Sequence, residues 1–479
     1  MAGPEPSRPL VTLRWLGALA ALFLVALIPR ALLIWRLPTV YSYDAFTRYW
    51  NPSDLVVRHW LPLPQLPIFL AFHGGGSVAA SRMIYAVVGA LAGVATAWAV
   101  ARSWNRGAGL AAGCITVFLP ALFVHTIIPY QEGFLLLFTA LTLSAWPDSS
   151  GANQKPPSTG SHPLLAMSGL ALGCLSRYEA WILVLLLMAG ATWRRQWRTA
   201  LLAVPSLVVI GAWLLLMPHL SLEDGPPRTT ESPIVVHLLD GPWTVLATRT
   251  IQAWFLVMRG AVDVLGTPLV VLAVIGLAAS LFHQRGIWRL ELPVFLLGVS
   301  LVAALRVVNA GVVTGRMVLA PTIWLVIFAG CGIGCLMVRL KRLNVVLAHA
   351  ASSLVVAVLA LTFLARAVAD ARAGHRAFYP EYAASRILLS APPDTAIGIL
   401  PRPSSDILGE SLIGGIMAQS FELNPTDPRW SYLGKETPSR RPDLLVEWTG
   451  ARYVVRQLGD PLADGSVVWP AEPNNEGGP

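Results

Sequence analysis

Long apolar runs recur along the whole chain and alternate with short polar stretches. Most of these runs are long enough to cross the roughly 30 Å of hydrocarbon in a bilayer. We therefore predict a polytopic α-helical membrane protein with about eleven transmembrane helices. The two shortest runs, at 163–176 and 180–193, predict a tight helical pair. The predicted spans lie at approximately 14–34, 79–101, 108–127, 131–146, 163–176, 180–193, 199–217, 266–283, 291–307, 317–338 and 344–365.

The charge of the connecting stretches predicts the topology. Short cytoplasmic loops carry an excess of Lys and Arg, whereas outer loops do not. Assigning the basic, acid-poor loops to the cytoplasm puts the N-terminus inside and the C-terminal region outside. The residues that carry this assignment are Arg102, Arg106, Lys155, Arg194, Arg195, Arg198, Arg285, Arg289, Arg339, Lys341 and Arg342.

Two long segments interrupt the predicted spans on the outer side. Residues 35–78 are rich in proline, aromatic and apolar residues, which predicts short interfacial helices. Residues 218–265 begin with a Pro/Thr/Glu-rich stretch and end in an amphipathic stretch from Trp243 to Val264. Together with the spans, these loops predict one membrane domain over residues 1–365.

After residue 365 the composition becomes more polar. The pattern predicts a helix at 382–389, strands at 396–400 and 452–455, and either a helix or a strand at 443–448. We interpret residues 366–470 as a small soluble, extracytoplasmic α/β domain. The last residues, 471–479, are rich in Pro, Asn, Glu and Gly, which predicts a disordered tail.

Composition supports the membrane assignment. Only 13% of residues are charged and 55% are hydrophobic, with a mean hydropathy of +0.60. A soluble domain carries about 25% charged residues, so a soluble protein is excluded. The formal charge of +9 fits cytoplasmic Lys and Arg and a site for an anionic phosphate, and we expect no nucleic-acid partner. The four cysteines lie in apolar runs, where membrane packing explains them.

The first outer loop holds the strongest candidate for chemistry. Asp44 follows Tyr43 in a polar stretch between two apolar spans. A carboxylate there can act as a general base that draws a proton from an acceptor hydroxyl. Alternatively, Asp44 is a solvated acid of the interface. We group Tyr43, Asp54 and His59 as substrate-binding candidates, with Asp54 as a second acid and His59 as a second base.

Several stretches of the chain resemble the GT-C membrane glycosyltransferases. The first span leads into a long outer loop that opens on an acid, and later pieces fit the same layout. The closest likeness is to the branch that contains the protein O-mannosyltransferases and the lipid A aminoarabinose transferases. One branch pairs two acids in the first loop, whereas here Asp44 is followed by Ala45. The matching stretches are 60–69, 76–82, 129–133, 172–179 and 315–321.

The resemblance implies an inverting transfer of a hexosyl or pentosyl group from a polyprenyl- or dolichyl-phosphate donor on the outer membrane face. The acceptor is a glycan, a lipid or a protein. Arg316, Arg58 and Arg177 are the candidates for the donor phosphate, because a guanidinium binds two oxygens and stays charged. Glu132 and Glu179 are candidates for sugar hydroxyls. No metal and no cofactor is expected.

Some of these residues also have a purely structural explanation. Arg177 and Glu179 can form a simple intramolecular pair, and Arg82 is expected to be structural. Arg249, Arg259 and Arg306 are weaker phosphate candidates.

Other functions and locations stay open at this stage. A transporter or lipid flippase also carries charged residues within membrane helices, although internal repeats are absent here. A scaffold whose outer domain binds a partner is a third possibility. The Ala/Arg/Leu-rich composition favours a bacterial inner membrane with the C-terminal domain in the periplasm, and the lumen of the endoplasmic reticulum is the alternative.

Overall fold

The chain folds into a series of helices followed by a small sheet. The computed structural model describes residues 8–40, 45, 48–49, 52–56, 61–147, 162–216, 243–282, 287–310, 315–342, 344–392, 394–399, 416, 419–420, 430–432, 443–448 and 453–457. The helices are α1 (Arg8–Arg36), α2 (Leu66–His73), α3 (Val78–Ser103), α4 (Arg106–Phe118), α5 (Pro120–His125), α6 (Glu132–Ala145), α7 (Pro163–Cys174), α8 (Glu179–Trp193), α9 (Trp197–Ala200), α10 (Val204–Leu216), α11 (Trp243–Leu265), α12 (Thr267–Leu281), α13 (Leu292–Ala310), α14 (Gly315–Lys341), α15 (Val345–Ala377) and α16 (Tyr379–Ser390). A π-helical turn, Ile287–Glu291, precedes α13.

Within the described residues, five helices are long and apolar enough to cross a membrane. They are Leu13–Arg36, Val78–Ser103, Trp197–Leu216, Met317–Lys341 and Val345–Ala377. The pair α11 and α12 adds a sixth span if it is counted as one, although it is bent by 113°. Several other predicted spans are shorter apolar helices: α6 has 14 residues and is therefore about 21 Å long. The predicted number of about eleven full spans thus stays a prediction.

Two breaks between helices follow from local sequence. The predicted span at 108–127 is divided into α4 and α5 at Leu119, whose ψ of 117° is extended. Pro120 disfavours helical geometry at the preceding residue, which explains this break. The bend between α11 and α12 lies at Gly266, whose φ of 77° is accessible mainly to glycine. The amphipathic stretch predicted from Trp243 to Val264 is therefore a helix that ends at this glycine.

Arg30 ties the first helix to the break between α4 and α5. It is fully buried. Its Nε donates to Thr126 Oγ1 at 2.8 Å, Nη1 to the carbonyl of Ala26 at 2.7 Å and Nη2 to the carbonyl of Val117 at 2.6 Å. The guanidinium also lies 4.2 Å from the centre of the Phe123 ring. A cation within a span is thus satisfied by oxygens and a π face.

Helices α12 and α14 approach each other closely because glycines face the contact. A Cβ on Gly276 would lie 1.8 Å from the carbonyl oxygen of Phe328, and one on Gly332 would lie 2.1 Å from that of Leu272. Small residues allow such close backbone packing between membrane helices. All four cysteines are free, and the buried Cys331 next to Gly332 agrees with the predicted packing role.

Gly276→Ala is expected to destabilise the protein by roughly 1–3 kcal/mol, because a methyl group would force two backbones apart. The measurement is the thermal unfolding midpoint in detergent. Gly211→Ala in α10 is the matched control, since nothing lies within 4 Å of its Cβ position. Equal unfolding midpoints for the two variants would contradict the close approach of α12 and α14.

The chain divides into two compact units. The first comprises residues 1–32, 58–64 and 84–368, and the second comprises residues 33–57, 65–83 and 369–479. The second unit contains a four-stranded sheet of order β2-β1-β3-β4, with β1 (Ile397–Ile399), β2 (Trp430–Tyr432), β3 (Leu444–Trp448) and β4 (Tyr453–Gln457). Strand β1 is parallel to β2 and β3, whereas β3 and β4 are antiparallel.

The strands predicted at 396–400 and 452–455 are confirmed. The segment 443–448, predicted as either a helix or a strand, forms a strand. Strand β2 was not predicted. Helix α15 continues to Ala377, past the predicted boundary at residue 365. The predicted domain limits, the outer location of the sheet and the tail at 471–479 stay predictions; the tail lies outside the described residues.

Candidate functional site

Arg177 occupies the centre of a buried charge cluster in the first unit. It lies in the break between α7 and α8, which the short helical pair predicted. Only 2% of its side chain is exposed. Nε donates to Glu179 Oε2 at 2.9 Å, Nη2 donates to Glu179 Oε1 at 2.6 Å, and Nη1 donates to Glu132 Oε1. The guanidinium therefore binds Glu179 through two parallel hydrogen bonds and uses a third donor for Glu132.

Both carboxylates begin helices. Glu132 is the first residue of α6, and Glu179 is the first residue of α8. A helix N-terminus presents unpaired N–H groups and a positive dipole end, so it favours a negative charge. Glu132 is 1% exposed and Glu179 is 2% exposed. The sequence thus places two desolvated carboxylates where backbone electrostatics and one guanidinium stabilise them.

Two further residues extend this cluster. His125 Nδ1 lies 3.4 Å from Glu132 Oε2, and the His125 ring stacks on Tyr130 with 4.2 Å between ring centres. Arg306, in α13, forms an ion pair with Glu179, with 3.1 Å between Nη1 and Oε1. The Arg306 side chain is 37% exposed, whereas Arg177 is buried. Glu179 therefore joins a buried guanidinium to an accessible one.

The structure brings some of the site residues predicted from the sequence together, and others lie outside its described part. Glu132, Arg177 and Glu179 lie in direct contact, so the alternative interpretation of an Arg177–Glu179 pair is confirmed. Asp54 is exposed and accepts a hydrogen bond from Ser53 Oγ at 3.4 Å. Arg316 lies in the first turn of α14, and its side chain is outside the described part of the structure. The candidates Asp44, Tyr43, Arg58 and His59 lie outside the described residues.

Sequence reasoning did not find His125, and it gave Arg306 only as a weaker phosphate candidate. A histidine close before an acidic helix start carries no distinctive signal, because the intervening turn decides whether the two meet. Arg306 did carry a signal, since an arginine inside an apolar run is a candidate functional residue. Its partner Glu179 lies in a distant part of the sequence and could not be identified without the packing of α13 against α8.

Arg82 holds the first loop, as predicted for a structural residue. It is fully buried. Its Nη1 donates to the carbonyls of Leu37 at 2.9 Å and Pro38 at 3.0 Å. The neighbouring Ser81 Oγ lies 2.6 Å from the Tyr49 hydroxyl. Burial raises the pKa of Tyr49 to about 12, against the opposing effects of the Ser81 hydrogen bond and the Arg82 charge, so this phenol is neutral at physiological pH.

The next two residues of the loop are held from the C-terminal part of the same unit. Thr39 Oγ1 lies 2.6 Å from His375 Nδ1. The amide of Gln419 pairs with the backbone of Val40: Val40 N donates to Oε1 at 3.0 Å, and Nε2 donates to Val40 O at 3.1 Å. Every residue from 37 to 40 is thus hydrogen-bonded directly before the stretch that contains Asp44.

Within the described residues, no group of three or more His, Cys, Asp or Glu side chains could hold a metal ion. The charge cluster contains two carboxylates, and a guanidinium occupies the space between them. The expectation that the protein needs no metal stays a prediction.

No protein-family model and no curated protein sequence matches the chain. Solved structures do match its fold. The archaeal oligosaccharyltransferase AglB from Archaeoglobus fulgidus, in complex with an inhibitory peptide and a dolichol-phosphate, is similar with a TM-score of 0.53 and 12% identity. That match covers 86% of this chain and 64% of AglB.

A second similar structure is ArnT from Cupriavidus metallidurans bound to undecaprenyl phosphate, with a TM-score of 0.50 and 13% identity. It covers 86% of this chain and 85% of ArnT. At such low identity the likeness concerns the fold, and function must be argued from the site. AglB and ArnT are both GT-C proteins, and this chain shares their fold, in agreement with the resemblance seen in its sequence.

Proposed function

We propose that this protein is a membrane glycosyltransferase that moves a sugar from a polyprenyl- or dolichyl-phosphate donor to an acceptor at the outer membrane face. The observation that carries the proposal is the buried cluster of Arg177, Glu132 and Glu179, extended by the accessible Arg306, within a GT-C fold. Charged groups inside a membrane protein are expensive and mark functional sites. The two similar structures that contain dolichol-phosphate or undecaprenyl phosphate support the class of donor.

The cluster supports a division of roles between its two arginines. Arg177 is buried, and three of its nitrogens already donate to carboxylates. We therefore assign it to positioning Glu132 and Glu179 rather than to the donor phosphate. Arg306 is accessible, and it forms an ion pair with Glu179. In our proposal Arg306 joins Arg316 and Arg58 as a candidate contact for the phosphate.

The reaction then needs a base and a cation. The oxygen of the acceptor hydroxyl attacks the anomeric carbon, and Asp44 takes its proton. The bond between that carbon and the phosphate oxygen breaks, and its electron pair leaves with the lipid phosphate. Negative charge grows on this leaving group, and a preorganised guanidinium stabilises it. Attack opposite the leaving group inverts the configuration of a hexosyl or pentosyl donor.

The proposed setting is a multi-pass protein of a bacterial inner membrane. Its N-terminus is cytoplasmic and its C-terminal region periplasmic, as the basic loops predict. The acceptor is a glycan, a lipid or a protein, and no nucleic acid takes part.

A transfer assay tests the function. Purified protein in proteoliposomes receives a radiolabelled polyprenyl-phosphate sugar together with a membrane extract as the source of acceptors. We expect label to move from the lipid donor to an acceptor, and free polyprenyl phosphate to accumulate in equal amount. Flux of the intact labelled lipid between leaflets, without any consumption of donor, would identify a flippase instead.

Arg306→Gln is expected to lower kcat/KM for the lipid-linked donor by roughly 10- to 100-fold, because a hydrogen bond to a charged phosphate is lost. The measurement is initial transfer rate against donor concentration. Arg198→Gln in α9 removes the same charge from an exposed position and serves as the control, because Arg198 is not a phosphate candidate. If both variants keep the wild-type rate, Arg306 does not contact the donor.

A further inference from the structure

A cavity of about 840 Å³ lies in the first unit, away from the charge cluster. It is formed by the ends of α12 and α14 and by the junction of α3 and α4. Arg306 precedes the start of α14, whereas the cavity is lined by the last residues of α14. This helix has 27 residues and is therefore about 40 Å long. The cavity thus belongs to the opposite end of this helix from the proposed donor site.

One wall of the cavity is apolar. It includes Ile275, Ala278 and Phe282 from α12 and Leu336 from α14. Phe282 is 88% exposed and Leu336 is 38% exposed, so hydrocarbon surface is open beside the cavity. In a membrane protein such a surface at a helix end is suited to an acyl chain.

The rim of the cavity is basic. Arg339 and Arg342 line it, and both are exposed. Among the described residues, neither side chain takes part in an ion pair, in contrast to Arg177, Arg194 and Arg306. Two guanidiniums one helical turn apart provide several N–H donors for one phosphate.

The occupant must therefore combine hydrocarbon with a negative headgroup. Basic pockets between membrane helices recognise the headgroups of anionic lipids. We propose that this cavity binds an anionic glycerophospholipid, with an acyl chain along the wall formed by Ile275, Phe282 and Leu336 and the phosphate on Arg339 and Arg342. The bound lipid joins the ends of α12 and α14 and so stabilises their close packing.

The test uses phosphatidylglycerol as the probe. Purified full-length protein is titrated with it in detergent, and bound lipid is counted by native mass spectrometry while the thermal unfolding midpoint is followed. We expect one retained lipid per chain and a rise of the midpoint with phosphatidylglycerol. Arg339→Gln and Arg342→Gln should each lower the retained fraction about tenfold.

Lys341→Gln is the matched control. Lys341 lies between these arginines in sequence but does not line the cavity, and its substitution removes the same charge. It should retain lipid as the wild type does. Ala278→Trp fills the apolar wall and should abolish retention, with an unchanged unfolding midpoint before lipid is added. Three results would overturn the proposal: an equal loss in Lys341→Gln, equal retention of phosphatidylcholine, or the same midpoint shift with inorganic phosphate alone.

Discussion

Asp44→Asn is expected to lower sugar transfer by roughly 10²- to 10⁴-fold, the usual contribution of a general base. Asparagine keeps the size of the side chain but cannot take the proton of the acceptor hydroxyl. Binding of the lipid-linked donor should be nearly unchanged, because the proposed phosphate contacts are arginines. The measurements are the transfer rate at saturating donor and the retention of labelled donor by the purified variant.

Asp54→Asn provides the control for this experiment. Asp54 is exposed and lies in the same loop, so its substitution removes an equal charge from the same region. Although Asp54 is the second acid candidate of this loop, its exposed side chain and its contact with the adjacent Ser53 favour a solvated acid, so we expect transfer by this variant to stay close to the wild-type rate. Undiminished transfer by Asp44→Asn together with a large loss in Asp54→Asn would exchange the roles of the two acids.

One branch of the GT-C proteins has two adjacent acids in the first loop, and the structure describes the position where this chain lacks the second. Ala45, which stands at that position, is fully buried. A carboxylate at this site would have to be desolvated, so this chain cannot carry an exposed acidic pair there without a local rearrangement. If a second carboxylate acts in the reaction, we propose Glu132 or Glu179, because both belong to the buried charge cluster.

Arg177→Met is expected to have the largest effect on stability, at roughly 3–5 kcal/mol, because it leaves buried carboxylates without their counter-charge. Both Glu132 and Glu179 would lose hydrogen bonds, and the break between α7 and α8 would lose its anchor. The measurement is the thermal unfolding midpoint in detergent, with the yield of folded protein as a second readout.

A triple variant separates charge compensation from packing. Arg177→Met combined with Glu132→Gln and Glu179→Gln removes the cation and both anions, and it should recover much of the lost stability. Arg259→Met on an exposed surface is the control and should have little effect. A single Arg177→Met variant that unfolds at the wild-type temperature would contradict the buried ion-pair network.

The positions of most helices were predictable, because apolar runs of this length are typical of helices within a membrane. The short pair at 163–193 corresponds to α7 and α8, and the break between them follows from the polar residues 176–179. The 113° bend between α11 and α12 was not predicted, since a single Gly266 gives no direction or angle. The three-residue strand β2 is too short to show alternation.

The sequence indicated which charged residues belong to the site, but it did not indicate all of the contacts between them. Charged residues at the ends of apolar runs are visible in a sequence, so Glu132, Arg177 and Glu179 could be named. Their contacts with His125 and Arg306 depend on how separate helices pack. The difference in burial between Arg177 and Arg306 is likewise a tertiary property, and it decides which arginine can face a substrate.

The hydrogen bonds that hold residues 39 and 40 have a consequence for how such chains evolve. His375 and Gln419 complete the first loop from the C-terminal part of the chain. A chimera that exchanges the C-terminal part alone, with a relative that lacks these partners, would leave the loop before Asp44 without half of its anchors. The two stretches must therefore be inherited together, even though more than three hundred residues separate Val40 from Gln419.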